Sequence, residues 1–76
     1  MVKNQLKKLI DAQGITPYQF WKSTNLNKIT AYRLYNDSSY IPGREVMEVI
    51  GDVYGWHPKY YIDYVPNNVA QVVDNN

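Results

Sequence analysis

A compact all-α domain of five helices, followed by a short flexible C-terminal tail, is what this 76-residue sequence predicts. Three observations carry that reading. Apolar residues recur at three- and four-residue spacings. Capping residues stand just before the periodic runs, and Gly14 and Gly55 stand just after them. The length suits one domain, with the folded unit at 1–65 and the tail at 66–76. A domain of this size buries only about 60% of its unfolded surface, so its core is thin.

The first helix is expected over 3–13, with Leu6, Leu9, Ile10 and Gln13 on one face and Gly14 as its stop. Thr16-Pro17 opens the second: threonine is the N-cap, proline fits the first helical position, and Gln19 completes a capping box. This helix runs over 17–24 and turns Phe20, Trp21 and Thr24 inward. Asn25-Leu26-Asn27 is a tight turn, in which Asn25 tolerates a left-handed conformation and Asn27 caps the helix that follows. The third helix, 28–35, gathers Ala31, Leu34 and Tyr35 on one side and Ile29, Tyr32 and Arg33 on the other. After a loop of Asn36 to Ser39, a fourth helix at 43–54 turns Met47, Ile50, Val53 and Tyr54 inward and leaves Glu45, Glu48 and Asp52 wet. His57-Pro58 is a second cap-and-proline start, for a short fifth helix at 58–64.

Net charge is only +1, but it is unevenly spread. Residues 1–40 hold six cations against two anions, a net of +4, and 41–76 hold two against five, a net of −3. A basic half of this kind suits DNA. The chain has no cysteine, so disulfides and cysteine–zinc sites are excluded. It shows no secretory leader and no apolar run approaching the ~20 residues a membrane span needs, so a soluble cytoplasmic protein without membrane contact is expected. One histidine makes no metal site, and the Glu45, Glu48 and Asp52 row reads as a solvated helix face. With no nucleophile–base constellation and no glycine-rich phosphate loop, neither an enzyme nor a cofactor is expected.

From Leu6 to Tyr35 the sequence resembles the phage-repressor/Cro-like helix-turn-helix family, also called the xenobiotic-response-element type. Gly14-Ile15-Thr16 is similar to that family's Gly-Leu-Ser, and Phe20 fills its leucine slot. Thr24-Asn25-Leu26-Asn27 is similar to its Thr-Gly-Val-Ser turn, and Thr30-Ala31-Tyr32-Arg33-Leu34 to its Thr-Ile-Ser-Arg-Ile. Pro42, Met47, Ile50, Gly55 and Tyr61 fall where members carry Pro, Leu, Ile, Gly and Leu, so the likeness spans about 3–64. The resemblance implies a repressor-like domain that binds double-stranded DNA and regulates transcription, with the third helix in the major groove.

On that basis Lys28, Ile29, Tyr32 and Arg33 form the expected base-facing set, with Arg33 on a guanine and Ile29 on a thymine methyl, and Asn27 and Tyr18 are further candidates for contact with DNA. Lys22, Arg44, Ser38, Ser39 and Tyr40 are candidates for holding phosphates. The plain alternative for each is an ordinary solvated surface. Trp56, Tyr60, Tyr61 and Tyr64 exceed what so small a core needs, and are candidates for a homodimer surface. Val69, Val72 and Val73 of the tail are candidates for docking on a partner.

Several positions depart from the family pattern. Trp21 stands where alanine is usual and Ala31 where a bulky residue is usual, which reads as an exchange of volume between two crossing helices. An Arg–Glu pair common in members is replaced by Ile10 and Tyr35. Pro17 has no amide hydrogen to give a phosphate, and the loop Asp37 to Tyr40 has no cation. These losses leave open a second reading, a protein-interaction module on the same scaffold.

Overall fold

In the computed structural model, which describes residues 1–66, four α-helices and a two-stranded sheet enclose one core. The expected tail lies outside the described residues, apart from Pro66. The elements are β1 (Val2–Asn4), α1 (Leu6–Ala12), α2 (Pro17–Thr24), α3 (Lys28–Asn36), α4 (Arg44–Tyr54), a 3-10 turn (Pro58–Tyr60) and β2 (Ile62–Tyr64).

The helix ends follow local chemistry. Past α1, Gly14 takes a φ of 74°. Its amide donates to the carbonyl of Asp11, and the Ile15 amide donates to that of Ile10, which together close a Schellman motif. Thr16 and Gln19 form both bonds of the capping box: the Gln19 amide donates to Thr16 Oγ1 at 3.1 Å and the Thr16 amide to Gln19 Oε1 at 2.8 Å. Asn25 ends α2 in the left-handed region at φ 57°. Asn27 Oδ1 caps α3 by accepting from the Ile29 amide at 2.9 Å. Gly55 ends α4 at φ 72°.

The core comprises Leu6, Ile10, Phe20, Ala31, Leu34, Ile50, Trp56 and Tyr61, all buried. Stacked rings bridge α2 to the segment after α4, with Phe20 against Tyr54 and Tyr54 against Trp56, the latter pair 4.4 Å apart. Three inward expectations are corrected. Trp21 is half-buried and packs against the core from its rim. Gln13 and Val53 are exposed, Gln13 because α1 ends before it and leaves it as the C-cap.

The fifth helix does not form. Only the 3-10 turn appears, capped as expected by His57, whose Nδ1 accepts from the Lys59 amide at 3.0 Å. The chain then extends as β2 and pairs antiparallel with β1, in the register Val2 with Tyr64, Lys3 with Asp63 and Asn4 with Ile62. The same pairing shortens the first helix, since residues 2–4 are extended. Each strand satisfies the other's backbone, which a three-residue helical stub cannot do for itself.

Candidate nucleic-acid interface

The outward side of α3 and the start of α2 form one continuous surface. Ile29 is 76% exposed and has no place in the core. Lys28 and Arg33 are exposed beside it, and Tyr32 is half-buried. Asn27 stands at the same end, but its side-chain oxygen is committed to the cap of α3.

A cluster of aromatic rings and cations joins the two helices. Tyr18 and Trp21 meet edge to face at 5.6 Å, and Trp21 faces Tyr32 across the helix pair at 6.5 Å. Lys22 and Lys28 lie over the Trp21 ring at 4.9 and 5.3 Å. Negative ring faces attract these ammonium groups and hold them on the surface. Trp21, read from the sequence as interior, is therefore the centre of this shelf. Its signal was its size and position, an indole one residue after the buried Phe20.

Arg33 extends from the far end of α3 toward the next loop. Its guanidinium lies 4.2 Å from the centre of the Tyr40 ring, and its Nε is 3.6 Å from Asp37 Oδ2. The Ser39 hydroxyl and amide donate to Asp37 Oδ1 at 2.6 and 3.0 Å. These bonds, with the Arg33 charge, hold the Asp37 carboxyl below the ordinary carboxylate range. Ser38 is exposed on the same loop. Arg44 stands at the start of α4 in an exposed pair with Glu48, and no contact joins it to the other candidates among the described residues.

What fixes α3 and its loop is a residue that sequence reasoning missed. Asn4 is 2% exposed, and its Nδ2 donates to the carbonyls of Leu34 at 2.7 Å and Tyr40 at 3.1 Å. Its Oδ1 accepts from the Leu6 amide at 2.7 Å, and its own amide donates to the Ser38 carbonyl. One side chain thus ties the end of α3, the following loop and the start of α1 together. An asparagine two residues before an apolar helix is the only trace of this in the sequence. In the Ile10/Tyr35 pair, Ile10 is core, while the Tyr35 hydroxyl donates to Asp11 at 2.6 Å with Lys7 over its ring.

The four aromatics expected at a dimer surface divide. Tyr61 is fully buried and Trp56 is 9% exposed, both as core residues, so neither offers a surface. The turn at Pro58–Tyr60 aims Tyr61 inward and leaves Tyr60 and Tyr64 58% and 67% exposed. No helix among the described residues is long and apolar enough to cross a membrane.

A family model for the Cro/C1-type helix-turn-helix DNA-binding domain matches residues 5–66. No curated protein and no solved structure matches the chain. The matched span contains all four helices, the Asn25 turn and the exposed α3 face. The chain therefore belongs to the Cro/C1-type helix-turn-helix DNA-binding domain family.

Proposed function

We propose that this protein is a sequence-specific regulator of transcription, of repressor type, that binds double-stranded DNA through residues 1–65. It acts in the cytoplasm as a homodimer and has no catalytic activity. The observation that carries this reading is the α3 face: Ile29 and Arg33 project from a helix whose opposite side, Ala31 and Leu34, is fully committed to the core. A helix presented in this way fits the major groove, with Arg33 directed to a guanine edge and Ile29 to a thymine methyl. Asn27, Lys28 and Tyr32 flank them. Tyr18, Lys22, Ser38, Tyr40 and Arg44 contact the sugar-phosphate backbone, and Tyr60 and Tyr64 pair two copies.

The alternative, a protein-interaction module, draws on Pro17, which has no amide to offer a phosphate, and on the cation-free loop after α3. One experiment separates the two. Binding of wild type, Arg33→Ala and Lys22→Ala is measured on a selected duplex and a scrambled one at two salt concentrations. Arg33→Ala weakens the selected duplex by about 1–3 kcal/mol more than the scrambled one. Lys22→Ala weakens both alike and lowers the salt slope by about one unit. Absence of duplex binding at low salt favours the interaction module.

A further inference from the structure

The arginine proposed to read a base is not left loose by the fold. It is packed against the Tyr40 ring on one side and held by Asp37 on another. Both partners are themselves fixed. Asp37 is anchored by the Ser39 hydroxyl and amide. The Tyr40 amide donates to the Asp37 carbonyl at 3.0 Å, and the Tyr40 carbonyl accepts from buried Asn4. A chain of contacts therefore runs from the core, through Asn4 and the loop, to the guanidinium.

We propose that Asp37 and Tyr40 are specificity-determining positioning residues, which clamp Arg33 and make it exchange a carboxylate for a base edge. The inference rests on α3 being the base-reading helix. The exposed pair with Arg33 contributes little to stability, and an asparagine oxygen would accept the Ser39 bonds equally, so folding alone does not require a carboxylate at this position. On a DNA-binding face its effect is larger. An unpartnered arginine gains from any phosphate it meets, since phosphate contact is independent of sequence. An arginine held by Asp37 gives up that partner on binding, and Asp37 itself repels nearby phosphates. A guanine edge, with two acceptors for two parallel donors, replaces what is lost; a single phosphate oxygen replaces less. Tyr40 keeps the guanidinium plane in one orientation, which a two-bond contact requires.

The test is a double-mutant cycle read as the ratio of affinities for a selected and a scrambled duplex. Proteins compared are wild type, Arg33→Ala, Asp37→Asn, Tyr40→Leu and the two doubles with Arg33→Ala. Asp37→Asn keeps the acceptor for Ser39 and sits on the surface, so it folds. It is expected to tighten scrambled DNA by about three- to tenfold, in keeping with one fewer like charge facing the phosphates, and to lower the ratio by roughly threefold or more. Tyr40→Leu also removes the backbone contact proposed for its hydroxyl, so it is expected to weaken both duplexes and the selected one more, which lowers the ratio, with circular dichroism confirming the fold. In the Arg33→Ala background neither change lowers the ratio further. The clamp is overturned if Asp37→Asn leaves the ratio as in wild type, or lowers it equally with Arg33 removed. Should Arg33→Ala itself leave the ratio unchanged, the base-reading assignment fails and the clamp with it. A ratio that responds to Arg33→Ala but not to Asp37→Asn removes the clamp and leaves the assignment standing.

Discussion

Replacing Tyr61 by phenylalanine should stabilise this protein. The Tyr61 ring is fully buried in the core, and its hydroxyl has no hydrogen-bond partner among the described residues. A hydroxyl removed from water without a protein partner costs roughly 1–3 kcal/mol. Tyr61→Phe removes that cost and keeps the ring packing, at the loss of the dispersion contacts of one oxygen, each about 0.1–0.2 kcal/mol. The expected gain is about 1–2 kcal/mol. In a domain of this size that raises Tm by roughly 4–8 °C per kcal/mol, an effect easily resolved in a melt followed by circular dichroism. The pH dependence gives a second reading. Burial pushes the Tyr61 hydroxyl above its ordinary value of 10.0, so the unfolded chain ionises there before the folded one. Wild-type stability is untouched by this ionisation below about pH 10, and falls as pH rises from there through the raised native value. The phenylalanine variant lacks this alkaline loss, so its advantage over wild type grows as pH rises. A variant less stable than wild type by more than about 1 kcal/mol at neutral pH would refute the reasoning, because it would mean that the hydroxyl is hydrogen-bonded.

Two other predictions concern the scaffold. Asn4→Ala strips partners from the Leu34 and Tyr40 carbonyls and the Leu6 amide, and should cost about 2–4 kcal/mol in denaturant unfolding; a loss below about 1 kcal/mol would show that Asn4 does not brace α3. Tyr60→Ser with Tyr64→Ser should convert a dimer to a monomer in sedimentation at high micromolar concentration while circular dichroism shows the fold retained, since both side chains are more than half exposed in the single chain. A wild-type protein that sediments as a monomer there removes the homodimer from the proposed function.

Much of the helical part was legible in the sequence because its signals act within four residues. The Thr16/Gln19 box, the Asn27 cap, the left-handed Asn25 and the glycines at 14 and 55 each bond or bend their own neighbourhood, whatever the rest of the chain does. The 3.6-residue recurrence of Leu6 with Ile10, and of Ala31 with Leu34, likewise settles which side of each helix is buried. The exposed position of Ile29 and Arg33 follows from that same wheel.

The ends of the chain answered to different physics. Strands of three residues carry no readable periodicity, and β1 becomes a strand only because β2, some sixty residues later, supplies its hydrogen bonds. Without that partner, Tyr60, Tyr61 and Tyr64 are indistinguishable tyrosines; the 3-10 turn sends one into the core and two to the surface. Trp21 finds its place only once both helices are packed, and there gathers Tyr18, Tyr32, Lys22 and Lys28 around it. Asn4 bonds to residues thirty and more positions away, and Arg33 meets Tyr40 across a loop whose path Asn4 sets. What sequence alone determined are the helices and the face that α3 shows; the tertiary structure decided how that face is braced and what holds its arginine, because those contacts join segments that local chemistry leaves independent.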